Sequence, residues 1–157
     1  MSDYIKELRK KIGHAPITIP HSVIIVINNQ DEMLLEERSD DGFFDFPGGG
    51  IDPKETPEEA AIRELKEETG LIANRLETFK TYTGEITHYI YFNGDEIYGE
   101  DHVFICRDYS GELVPQPEEV TRLFFCALDG MPEKMSSRNK QIILDLKKQI
   151  INKFDKK

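Results

Sequence analysis

Residues 48–71 read Gly48-Gly49-Gly50-Ile51-Asp52-Pro53-Lys54-Glu55-Thr56-Pro57-Glu58-Glu59-Ala60-Ala61-Ile62-Arg63-Glu64-Leu65-Lys66-Glu67-Glu68-Thr69-Gly70-Leu71. Its second half carries the punctuation of a helix over 57–69. Thr56 is a good N-cap, Pro57 occupies the first helical position, and Glu59 completes a capping box with Thr56. Gly70 is placed to be the left-handed C-terminal cap before apolar Leu71. Within the helix, Glu64, Glu67 and Glu68 stand at i, i+3 and i+4, so three carboxylates leave one face. Like charges at this spacing repel by about 0.2–0.5 kcal/mol per pair. A helix without a use for them more often sets Lys four residues after Glu. The alternative is a solvated acidic face, the ordinary reading of a charge run. The three glycines just before the helix let backbone approach a ligand closely. A hard divalent cation resolves the repulsion, since Mg²⁺ takes carboxylates, carbonyls, waters and substrate phosphates.

On the N-terminal side, residues 39–54 form a long loop rich in Asp, Gly and Pro. Before it, Val23-Ile24-Ile25-Val26-Ile27 predicts a strand buried on both faces, over 21–28. A turn at Asn28-Asn29-Gln30-Asp31 leads to a returning strand over 33–38. Tyr4, Ile5, Leu8 and Ile12 are spaced for a short amphipathic helix over 3–12, ended at Gly13-His14-Ala15-Pro16. On the C-terminal side the pattern predicts strands at 77–84, 86–92, 97–107 and 121–127, with a hairpin turn at Asn93-Gly94. A last helix over 137–154 has Ile142, Ile143, Leu146, Ile150 and Phe154 on one side. The expected class is α/β, a mixed sheet sandwiched between helices. No repeat or low-complexity linker appears, so residues 1–157 read as one domain, with 1–15 an N-terminal helical extension and 137–154 the C-terminal helix.

The 157 residues carry 20 Lys+Arg against 30 Asp+Glu, a net charge of −10. The charge is segregated: 1–14 holds +2, 134–157 holds +6, and 15–133 therefore −18. This balance argues against grip on polymeric nucleic acid or an anionic membrane. No run approaches the ~18 apolar residues of a membrane span, and the charged first residues lack a signal-peptide core. Two cysteines, Cys106 and Cys126, without C-x-x-C spacing, exclude a sequence-evident zinc site and fit a reducing cytoplasm. Both lie in apolar strand contexts, where a free Cys behaves as a small hydrophobe. His14, His21, His88 and His102 show no metal-ligand spacing and are expected to be structural.

Gly49-x5-Glu55-x7-Arg63-Glu64-Leu65-x-Glu67-Glu68-x-Gly70-Leu71 resembles the Nudix box at every fixed position, over 49–71. More loosely, the strand at 22–28, the hairpin and the Phe-Pro-Gly-Gly loop are similar to those of bacterial MutT-like Nudix proteins. The resemblance implies the Nudix fold and a hydrolase cleaving the pyrophosphate of a nucleoside diphosphate linked to a group X, a nucleoside triphosphate or ADP-ribose type substrate. It implies Mg²⁺, sometimes Mn²⁺. By position, Glu64, Glu67, Glu68 and the Gly48 carbonyl match metal ligands, and Glu55 and Arg63 match a structural ion pair. Glu64 and Glu68 are also candidates for the general base. So are Glu118 and Glu119, in the region where many family members carry a distal acid; they read equally as exposed loop acids.

Other candidates are weaker. Arg38 matches an arginine that reaches substrate phosphate, or is a surface Arg pairing with Glu36 or Asp40. Asn139 resembles an asparagine that reads a purine edge, and Asn suits bidentate base recognition; as a helix cap it has an equally plain role, which we favour. Phe43, Phe44 and Phe46 can stack on a base, with Phe46 named as the substrate contact, although at least one is expected to anchor the loop. The expected partner is thus a small nucleotide, with no nucleic-acid polymer and no membrane; the basic ends offer a homodimer surface. The competing readings are a non-catalytic Nudix-fold nucleotide-binding or regulatory module, which would be expected to lose box carboxylates, and a structural acidic domain, which leaves the spacing unexplained.

Overall fold

The computed structural model describes residues 3–116, 118 and 120–155, with side chains described as far as residue 149. In chain order the elements are α1 (Asp3–Ile12), β1 (Ile17–Val26), β2 (Glu32–Arg38), β3 (Phe44–Asp45), β4 (Gly48–Gly50), α2 (Pro57–Thr69), β5 (Ile72–Thr83), β6 (Tyr89–Ile90), β7 (Glu96–Ser110), β8 (Val120–Ala127) and α3 (Ser137–Asp155). The strands form two sheets. One runs β4-β1-β7-β5, with β6 also on β7, and the other runs β3-β2-β8. β1 and β7 are parallel over their full overlap, while every other pairing is antiparallel.

The β-branched run in β1 is buried on both faces, as its composition requires. Val23, Ile25 and Ile27 enter one core cluster with Phe46, Met135, Ile142, Ile143 and Leu146. Ile24 and Val26 enter a second with Ala61, Leu65 and Leu71. The period-2 alternation of the strand thus assigns one face to α3 and the other to α2. A small third cluster joins Ile5 of α1 to Ile19 and Ile97. Ile150 and Phe154, assigned to the α3 stripe, have side chains outside the described set.

Three sequence expectations change. The segment 33–38 is not a hairpin partner of β1. Apart from one bridge, Ile27 to Met33, β2 pairs with β3 and β8, because both edges of β1 are taken by β4 and β7. The loop 39–54 contains two short strands, of which β4 zips onto His21–Val23. The expected strand over 86–92 is broken. Gly84, at φ 81°, turns the chain into a 3₁₀ turn over 84–87. Thr87 fixes that turn by donating to Gly84 O at 2.6 Å and accepting from Gly99 N at 2.8 Å. Only Tyr89–Ile90 remains as strand, in a hairpin around Asn93-Gly94 closed by Tyr91 N to Asp95 O at 2.8 Å.

Candidate active site

The caps of α2 form as the sequence demands. Thr56 Oγ1 accepts from Glu59 N at 3.1 Å, Glu59 Oε1 accepts from Thr56 N at 3.1 Å, and Gly70 closes the helix at φ 81°. Ser22 on β1 donates to Pro57 O at 2.6 Å, tying the helix start to the central sheet. Leu65 is buried against β1, and Glu64 and Glu68, beside it in the sequence and one turn on, are buried at the β4 edge of the same helix. Glu64 is 2 % exposed. Glu68 is also buried and accepts from Gly48 N at 2.8 Å. Glu67 is 52 % exposed at the rim. Gly49 lies so close over Glu64 that a Cβ there would stand 2.5 Å from the carboxyl carbon, so any side chain at 49 would displace that carboxylate.

Arg63 gathers the loop onto the helix. It donates to Glu55 twice, from Nε at 2.7 Å and Nη2 at 2.8 Å. It also reaches Glu64 Oε1 at 2.9 Å and Gly50 O at 3.1 Å. Hydrogen bonding to Arg63 outweighs burial and holds the Glu55 carboxyl below its usual range. Burial acts the other way on the box acids. It pushes Glu64 up to about 7, against the pull of Arg63. Glu68 is raised well above the ordinary carboxylate value by burial first, then by the neighbouring Glu36 and Glu64. Glu36, on β2, is therefore a third acid in this pocket. It was missed in the sequence because it reads as one more charge in Glu36-Glu37-Arg38.

A second group of polar side chains lies beside this one. Arg138 donates to Asp45 at 3.1 Å, to Asp101 at 3.2 Å and to the Asn139 side-chain oxygen at 2.8 Å. Asn139 is 1 % exposed and donates to Asp45 at 2.7 Å. It does not cap α3. Ser136 does, accepting from Asn139 N at 3.2 Å, because the helix begins at Ser137 and puts Asn139 on its inner side. Burial pushes Asp101 up, but His21 and Arg138 outweigh it and leave the carboxyl below its usual value. Asp45, Asp101 and Arg138 had no distinguishing sequence signal, since they come from three distant elements.

Arg38 is engaged with Asp40, donating at 3.0 Å and 2.6 Å, and stands over the rings of Tyr89 and Tyr91. Phe46 requires correction. It borders the cavity that holds Asn139 but is 1 % exposed and packed in the core, so it is the aromatic that anchors the loop and leaves no ring face for a base to stack on. Phe43 and Phe44 are half-buried and line the same cavity as Asn139. Glu118 is exposed at the edge of the cavity that holds Glu64 and Glu68; Glu119 lies outside the described residues. Burial pushes the Cys106 thiol up to about 11, which suits an inert core cysteine. Each histidine faces a carboxylate, as in His21 on Asp101 at 3.1 Å.

The NUDIX domain family model matches residues 18–146. The chain belongs to the Nudix family. A protein from Bacillus subtilis (strain 168), to which the activity 8-oxo-dGTP diphosphatase is provisionally attached, is 31 % identical over 124 residues, 79 % of this chain and 76 % of that protein. An RNA pyrophosphohydrolase from Marinomonas sp. (strain MWYL1) is 45 % identical over 58 residues, 37 % of this chain and 36 % of its own. The crystal structure of a MutT protein from Methanosarcina mazei Go1 superposes with a TM-score of 0.70 at 21 % identity, over 85 % of this chain and 96 % of that one. The fold is thus the Nudix fold, and the chain is a MutT-like Nudix hydrolase, with its box on β4 and α2. Among the described residues, no helix is long and apolar enough to cross a membrane.

Proposed function

We propose that this Nudix hydrolase cleaves, with Mg²⁺ or Mn²⁺, the pyrophosphate bond of a nucleoside diphosphate linked to X, a nucleoside triphosphate or ADP-ribose type substrate. The observation that carries the reading is the burial of two carboxylates, Glu64 and Glu68, against the Gly48–Gly49 backbone. Two desolvated acids, each pushed toward protonation, supply oxygen donors of the kind a hard cation takes, although among the described residues no three such groups already converge on one point. Glu64, Glu67, Glu68 and the Gly48 carbonyl would hold the ion. When bound, it offsets the charge of the substrate oxygens and acidifies water.

The remaining work falls to the chain's own groups. Water attacks phosphorus in line, and a carboxylate within hydrogen-bond reach accepts its proton. Glu64, Glu68, Glu118 and Glu119 are the candidates for that base. Arg63 and Glu55 hold the loop against α2 so that the carboxylates keep their separation. Arg38, at the edge of both the base-side and box-side cavities, can exchange Asp40 for a phosphate oxygen, as a guanidinium fork permits. Asn139, whose amide is spent on Asp45 and Arg138, would act by positioning those two groups, a carboxylate and a guanidinium, toward a purine edge.

The test is a hydrolysis panel of dNTPs, oxidised dNTPs, ADP-ribose, dinucleoside polyphosphates and nucleotide sugars, with Mg²⁺, with Mn²⁺ and with chelator. Cleavage of at least one class at the pyrophosphate, abolished by chelator, is expected. No cleavage of any class with either cation would favour a nucleotide-binding module without catalysis.

A further inference from the structure

Glu36, Glu68 and the Gly48–Gly49 backbone stand between two cavities and line both. The smaller, about 100 Å³, is the one that holds Asn139 and Arg138. The larger, about 330 Å³, is walled by Ile5, Arg9, Ile19 and Phe92 in addition to Glu64 and Glu68. A volume of that size falls in the range of small-molecule sites. Part of its wall is α1, which precedes the residues matched by the family model. We propose that this larger chamber receives the group X, that X is an uncharged ring-bearing group (a sugar or a second nucleoside) and not a terminal phosphate, and that Phe92 stacks on its ring. The inference rests on the pyrophosphohydrolase reading above and names the half of the substrate that reading leaves open.

Charge argues first. The cations lining the chamber among the described residues are Arg9 and Arg38. Arg9 is committed to Ala15 O at 2.6 Å, Glu96 O at 2.8 Å and the Asp95 carboxylate at 3.7 Å. Arg38 is held by Asp40. The other charged groups there are acids, Asp95 and Glu118 among them. With Arg9 spent on the hairpin and Arg38 given to the nucleoside diphosphate itself, a further phosphate lying beyond the box would face carboxylates with no guanidinium left to receive it. An uncharged group meets no such penalty, and Ile5, Ile19 and Ile97 offer it an apolar wall.

Phe92 argues next. Its ring is 81 % exposed at the turn of the β6–β7 hairpin, and it lines the chamber. The hairpin does not swing free. Asp95 is gripped by His14 at 2.6 Å and by Arg9, while Asp95 N donates to Asn93 Oδ1 at 3.0 Å. α1 therefore fixes the loop that presents the ring. A planar apolar face held at the rim of a catalytic cleft is suited to stack on a base or to cover the apolar face of a sugar.

The experiment compares kcat/KM of the full chain, with Mg²⁺, on ATP, ADP-ribose and diadenosine diphosphate. Wild-type protein is expected to favour one or both ring-bearing substrates over ATP; which one is favoured tells a sugar from a second nucleoside. F92A is expected to lower the ratio of that substrate to ATP about tenfold, and F92W to restore it. Preference for ATP in the wild type, or an unchanged ratio in F92A, would overturn the proposal and leave the pyrophosphohydrolase reading intact. If none of the three is cleaved but a nucleoside triphosphate of the wider panel is, this proposal falls alone, whereas cleavage of a nucleotide sugar or dinucleoside polyphosphate there supports it and moves the F92A comparison to that substrate. If nothing in the wider panel is cleaved, both fall.

Discussion

Arg63 shows how much one side chain organises. It joins Glu55 of the loop, Glu64 of the helix and the Gly50 carbonyl, three groups that otherwise have little reason to meet. The doubled contact with Glu55 uses the planar fork, which a lysine cannot reproduce. Arg63→Lys is therefore expected to cost on the order of 2 kcal/mol of stability, and to lower kcat more than it raises KM, because the loop bearing Gly48 and Gly49 loses its tie to α2. Urea denaturation and steady-state kinetics on one cleaved substrate check both. Wild-type stability and kcat in Arg63→Lys would show the pair to be incidental. The pair was legible from the box, whereas Glu36, Asp45, Asp101 and Arg138 were not. A lone acid or base carries no sign of what it will face, and only the pairing of β2, β3 and β7 with their neighbours and the packing of α3 on the sheet bring these four beside the box.

At the scale of elements, α2 combines strong local signals with a costly charge pattern. Its caps, its proline and its terminal glycine agreed with the final fold because each acts within a few residues of itself. β1 was equally legible, since a β-branched run has one good environment. The failures lie where a partner elsewhere decides. β2 was assigned to the wrong neighbour, and Ile86–Phe92 lost most of its strand to a turn fixed by Thr87 and Gly99. Asn139 looked like a cap until Ser136 took that place. The acids of α2 also set a pH dependence. The Glu64 carboxyl sits near 7 in the folded chain, above its ordinary 4.5, so between these values the folded state holds the proton more tightly than the unfolded one. Its effect on stability falls as pH rises through that window, by on the order of 3 kcal/mol, and Glu68 acts in the same direction. Without divalent cation the Tm is expected to be lower at pH 8 than at pH 5.5, and Mg²⁺ to raise it more at pH 8. A cation effect equal at both pH values would separate the ion from these carboxylates.

For the molecule as a whole, the net charge of −10 is an incomplete description. The sandwich of α2, two sheets and α3 places buried acid at the junction of two cavities, with paired arginines around it. The small polar cavity and the larger chamber walled by α1 give a substrate two ends to place, with the box between them. This arrangement, and not overall charge, makes a phosphorylated ligand compatible with an acidic protein. Its most direct test is turnover by Glu68→Gln. The amide keeps an oxygen to accept from Gly48 N and preserves side-chain shape, while the charge that a cation requires is gone. The expected result is an unchanged or higher Tm without cation, with cation-dependent hydrolysis reduced about a hundredfold or more. A folded Glu68→Gln protein that hydrolyses its substrate at the wild-type rate would contradict the assignment of the buried box acids to catalysis.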